Sequence, residues 1–120
     1  MWYTAHVLMA FRFKEGFQKD LIVWENMYLI QARGKKEATV KARELGKKEV
    51  CSDPTMRLGD RPVRMVFEGI RKIIECMPGM NSNGSPCDGT ELSYSVYRVK
   101  DEASLRKLAK GKAVKLICQE

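Results

Sequence analysis

The stretch "MWYTAHVLMAFRFK", residues 1–14, decides how the rest of the chain is read. Tyr3, Ala5, Val7, Met9, Phe11 and Phe13 are all apolar, while Trp2, Thr4, His6, Leu8, Ala10 and Arg12 are mixed. Period two is the repeat of a β-strand, so the stretch predicts a long strand with one buried and one partly buried face. A strand of that kind needs neighbours on both sides and a cover on each face.

The neighbours follow in order. "KEGFQKD", residues 14–20, is a polar connection containing Gly16, and "LIVWENMYLIQA" after it reads as a second strand. Glu25 and Asn26 interrupt its apolar run and suggest a bulge or bend. Two long strands on a short connection should pair antiparallel. A third strand is predicted over residues 63–76, with Val63, Met65 and Phe67 on one face. After Glu68-Gly69 the apolar set moves to Ile70 and Ile74, a one-residue phase change that marks a bulge. "TELSYSVYRV" reads as a fourth strand with Leu92, Tyr94 and Val96 on one face. A second helix follows, with Asp101 as N-cap, Leu105, Leu108 and Ala109 as its stripe and Gly111 as its stop. The tail "AVKLICQ" alternates again and would add an edge strand.

Between the second and third strands lies the main helix, predicted over residues 35–50. The surrounding stretch "ARGKKEATVKARELGKKE", residues 32–49, packs seven basic residues into eighteen positions. At 3.6 residues per turn, Ala38, Ala42 and Leu45 fall on one arc, the face that meets the sheet. Glu37 precedes Lys41, and Glu44 precedes Lys48, by four positions, each pair contributing about 0.2–0.5 kcal/mol. Lys36, Arg43 and Lys47 remain as an unopposed stripe opposite the docking face. The expected order is therefore β-β-α-β-β-α-β: an α+β domain on a mostly antiparallel sheet, with the main helix packed on one face.

Composition bounds the function. A chain of 120 residues with 44% apolar and 31% charged residues is a single globular domain. Its net charge of +7 favours acidic partners, and residues 33–50 alone carry +4. Three phosphate contacts from Lys36, Arg43 and Lys47 would give a salt slope of only about −2.7. No aromatic residue interleaves that stripe to stack on a base, so nucleic-acid binding is an alternative and not the leading reading. The N-terminus lacks the pattern of a signal peptide and no run is long enough to span a membrane, so a cytoplasmic protein is expected. Cys51, Cys76, Cys87 and Cys118 are accordingly expected as free thiols.

Chemistry is sparse. His6 is the only histidine and no Cys-x-x-Cys occurs, so no metal site, no cofactor and no catalytic residues are assigned. Asp88-Gly89 reads as turn chemistry, with the glycine supplying a positive φ. The loop "MPGMNSNGSPCDG", residues 77–89, and His6 mark where a small-ligand or enzymatic pocket would lie. Trp2, His6 and Leu8 on the mixed face of the first strand, with Trp24 on the second, need a cover, either the second helix or another copy of the chain.

The segments "WYTAHVLM", "YLIQARGKKEATVKARELGKKE", "VFEGIRKI" and "DGTELSYSVY" together resemble a small bacterial family catalogued as a domain of unknown function, number forty-two eighty-eight. The resemblance runs from about Trp2 to Tyr97. It departs at the longer loop before Asp88 and at a helix-plus-strand tail over residues 98–120. It implies a compact α+β module whose helix is a scaffold element, and it brings no catalytic residues. The expectation is a small, non-enzymatic interaction module, homodimeric, with an acidic protein as a further partner in an accessory or neutralising role.

Overall fold

The sheet is organised around β1 (Trp2–Phe13), which pairs antiparallel with β2 (Ile22–Gln31) on one side and β4 (Arg61–Glu75) on the other. A computed structural model of the chain describes residues 1–50, 53–77 and 85–119. The two-residue β3 (Arg57–Leu58) turns into β4 through Gly59-Asp60, completing a four-stranded sheet in the order β2-β1-β4-β3. The residues just before β4 thus supply a short hairpin partner.

The odd residues of β1 build the core. Tyr3, Ala5, Val7 and Met9 are buried with Ile30 and Ala32 under helix α1 (Lys35–Lys48). The helix docks through small residues spaced four apart, Ala38, Ala42 and Gly46, with Leu45 partly buried beside them. Small side chains let the helix axis come close to the strands, so Val7 and Met9 are enclosed completely. Each such side chain contributes about 1.5–3 kcal/mol by leaving water. Gly46 belongs to the docking face, although its helix-breaking tendency hides it in the sequence.

Two bulges shape β4. The register with β1 slips between Leu8 and Met9, leaving Glu68 extra, and again between His6 and Val7, leaving Arg71 extra. The first is the phase change expected at Glu68-Gly69, and Gly69 takes a φ of +152° there. The second returns the phase, so Ile73 joins Ile70 near the core while Ile74 lies opposite Thr4 on the other face. Ile74 therefore does not share a face with Ile70. No bulge occurs at Glu25-Asn26, because the β1–β2 register runs unbroken from Trp2↔Gln31 to Phe11↔Ile22.

Residues 90–96 do not form the expected fourth strand. Only β5 (Tyr97–Arg98) is a strand, and it pairs with β6 (Cys118–Gln119) in a separate two-stranded sheet. Helix α2 (Glu102–Ala109) lies between them. Asp101 caps it as expected, its carboxylate accepting the Ser104 N–H at 2.8 Å. Its end is a Schellman motif, with Lys112 N–H on the Lys107 carbonyl, Gly111 N–H on the Leu108 carbonyl and Gly111 at φ +73°. Among the described residues α2 packs against neither α1 nor the strands of the main sheet, so it does not cover the second face. The tail likewise joins β5 and not the edge of the main sheet. The radius of gyration, 17.5 Å, exceeds the roughly 13.6 Å expected of a compact domain this long.

Cys51 and residues 78–84 of the loop, including Pro78 and Met80, lie outside the described residues. Gly89 takes the expected positive φ, +87°, in a turn closed by Thr90 N–H on the Cys87 carbonyl. No helix among the described residues is long and apolar enough to cross a membrane.

Candidate functional site

The second face of the sheet carries the polar chemistry. Thr4 and His6 point there from β1, and both are buried; His6 is 1% exposed. Register places Lys72 opposite His6, and places Glu25 opposite Leu8, one step diagonally from His6. The bulge at Arg71 turns one more charged side chain toward the same place.

These residues form one hydrogen-bonded network. Glu25 Oε2 lies 2.6 Å from His6 Nδ1 and 3.4 Å from Arg71 Nη1. A carboxylate oxygen only accepts, so His6 Nδ1–H is the donor to it. Ser93 Oγ lies 2.5 Å from Nε2. Lys72 donates to the Tyr94 carbonyl and to Ser95 Oγ at 3.2 Å. Cys76, also buried, donates its thiol to the Leu92 carbonyl at 3.6 Å and lies 3.2 Å from Thr4 Oγ1. Four consecutive residues, Leu92 to Ser95, are thereby tied to the sheet.

That tie explains why the fourth strand failed to form. The alternation in residues 92–96 predicts a strand with Leu92, Tyr94 and Val96 on one face. The serines face the sheet instead, because buried His6 and the Lys72 ammonium demand partners that leucine and valine cannot provide. Leu92, Tyr94 and Val96 are consequently exposed, Tyr94 at 58%.

Hydroxyl, imidazole and carboxylate follow one another in the order of a nucleophile, a base and the carboxylate that orients it. Three cavities described in the chain are lined by other residues. What the network does in the structure is position residues 92–95 over His6. Both His6 nitrogens are taken by Glu25 and Ser93, so neither faces a thiol. Among the described residues no group of three metal-ligating side chains converges.

The four proposed interface residues do not form one patch. His6 is buried within the chain, and Leu8 is half-buried on the same face. Trp24 lies opposite Met9, on the helix side of the sheet, and is 53% exposed. It packs edge-on against Phe11 at 4.9 Å between centroids. Trp2 lines a cleft of about 430 Å³ between the end of β2 and α1, together with Leu29, Leu45 and Lys48. The exposed apolar residues that sequence reasoning missed are Val23, Met27 and Leu29, which register places on the second face opposite Ala10, His6 and Thr4.

On α1, Lys36, Arg43 and Lys47 are exposed and make no ion pair within 4.0 Å among the described residues. Of the two expected Glu–Lys pairs, Glu37–Lys41 forms at 3.4 Å and Glu37 also meets Arg33 at 3.6 Å. Glu44 and Lys48 do not pair; both line the cleft beside β2. Lys41 also donates to the Gln31 carbonyl at 2.7 Å, tying the helix to the end of β2.

No curated protein and no solved structure is significantly similar to the chain. A model of the family described as "Domain of unknown function (DUF4288)" matches residues 2–93. That span contains the sheet, α1 and the His6–Glu25–Ser93 network, and leaves β5, α2 and β6 outside. With more than half of its length matched, the chain belongs to the DUF4288 family.

Proposed function

We propose that the protein is a small, non-enzymatic interaction module that works as a homodimer through the second face of its sheet. The observation that carries this reading is the inverted segment: Ser93 faces inward to His6 while Leu92, Tyr94 and Val96 face out. Val23, Met27 and Leu29 of β2 lie on the same face, Met27 at 61% exposure. Aromatic and methionine side chains are enriched in protein interfaces and charged ones depleted at their centres. These six residues carry no charge, and Glu25 is engaged by His6 and Arg71. A second copy, itself at +7, meets no like charge from them. The same excess of charge favours an acidic protein as the target of the assembled dimer.

Multi-angle light scattering over a concentration series tests the reading. A dimer is expected for the unmodified chain, and monomers for Tyr94→Glu and Met27→Glu, whose exposed positions leave the fold intact. A monomeric unmodified chain at high micromolar concentration would overturn it.

A further inference from the structure

A cavity in the C-terminal unit is lined by residues outside the family-matched span. Residues 98–120 carry seven Lys and Arg against three acidic residues. They are not spread evenly. Ser104 and Lys107 stand three apart on one side of α2, Lys100 lies just before its Asp101 cap, and the Schellman motif after α2 reverses the chain. Pairing of β5 with β6, with Ile117 N–H on the Arg98 carbonyl at 2.8 Å, then brings Ala113, Val114 and Lys115 across that side. The result is a cavity of about 430 Å³ lined by Lys100, Lys107 and Lys115, with buried Ser104, Ala113 and Val114 completing its wall.

Among the described residues no carboxylate lines this cavity. Asp101, beside Lys100, has its carboxyl held below its usual range first by the Ser104 hydrogen bonds, with Lys100 and Lys107 contributing. It is committed to capping α2. Lys100, Lys107 and Lys115 make no ion pair within 4.0 Å among the described residues. Three lysines line one hollow, and their summed charge suits a compact dianion.

We propose that this cavity binds the phosphate of a small organic phosphate monoester. A phosphate carries about −1.5 to −2 charges at neutral pH and three acceptor oxygens, which matches three lysines. The volume falls within the range of small-molecule sites. It leaves room for an organic group against Ala113 and Val114, so the ligand is more than inorganic phosphate.

The full chain titrated with phenyl phosphate, phenyl sulfate and a short single-stranded oligonucleotide tests this, read by amide chemical shifts. Saturable phenyl phosphate binding with shifts confined to residues 100–115 is expected, with the singly charged sulfate binding more weakly. Lys107→Gln and Lys115→Gln should each weaken it about tenfold, the size of one charge-assisted contact. Substituting Lys36, Arg43 and Lys47 of α1 together by Gln should leave it unchanged. Equal loss from both sets would show diffuse attraction and overturn the proposal, as would absence of saturation. Oligonucleotide binding without phenyl phosphate binding would overturn it too. The α2 amide shifts of each unliganded variant report whether the helix is intact.

Discussion

Glu25 Oε2 on β2 lies 2.6 Å from His6 Nδ1 on β1 and 3.4 Å from Arg71 Nη1 on β4, so one carboxylate oxygen links all three long strands. Glu25 is only partly exposed and His6 is enclosed, which makes the link hard for water to replace. Replacing Glu25 by Ala leaves a buried imidazole donor and a half-buried guanidinium without their acceptor. The expected loss is about 2–3 kcal/mol, measured as a shift in the urea unfolding midpoint at constant m. Because His6 would lose its orientation toward Ser93, amide exchange in residues 92–95 should rise as well. A change below the error of the urea extrapolation would show that the link contributes nothing to the fold.

Gly46 marks the closest approach of α1 to the sheet. A Cβ built there would stand 2.4 Å from Phe67 Cδ1 and 3.0 Å from Val7 Cγ1. In an exposed helix Gly→Ala stabilises by about 1 kcal/mol. Here Gly46→Ala should instead destabilise by about 1–3 kcal/mol, since overpacking forces the Phe67 ring aside. Phe67→Leu combined with Gly46→Ala should cost less than the sum of the two single changes, because the smaller side chain vacates the contested space. Additive losses in denaturant unfolding would show that the ring is not what the new methyl group meets.

The long elements were legible because their periods are long and unbroken. Residues 2–13 alternate over six pairs, and Ala38 and Ala42 are spaced for a helix face, so β1, β2, α1 and β4 follow from pattern alone. The failures share one cause: apolar periodicity says which residues would like to be buried, not which polar groups are already inside. Once His6 is buried beside Glu25, Ser93 is drawn inward and the neighbouring leucine and tyrosine are turned out. Glu25, read as an interruption of β2, is the acceptor His6 requires. The available signal was polar: a histidine on a strand, a diagonal glutamate on its neighbour and a serine alternation nearby. The second bulge, at Arg71, had no glycine to announce it.

Glu68, the extra residue of the first bulge, gives the fold an acid-sensitive contact. Its carboxyl pKa is lowered chiefly by the hydrogen bond from Arg12, 2.7 Å away, while burial opposes the shift. A folded-state pKa below the unfolded one means the contact contributes fully above the ordinary carboxylate range. That contribution is lost as pH falls through the lowered value. Arg12 is 41% and Glu68 32% exposed, so salt screens the pair and the effect is small. The expectation is that Glu68→Gln melts below the unmodified chain at neutral pH. The gap should close as pH falls well below about 4, the reference value of an unperturbed carboxylate. A gap constant over that interval would mean that Glu68 acts through packing and not through its charge.

Asp101 poses the opposite case, a contact whose loss should stay local. Its carboxylate accepts the Ser104 N–H and leaves one fewer free donor in the first turn of α2. Helix α2 spans eight residues, too short to hold itself in isolation, and among the described residues it rests on neither α1 nor the main sheet. Removing the cap with Asp101→Ala should therefore fray α2 without lowering the stability of the sheet. Hydrogen exchange separates the two: amides of α2 should lose protection while those of Val7 and Met9 keep theirs. Loss of protection in β1 would show instead that the C-terminal unit and the sheet unfold together, and that the cap supports the whole chain.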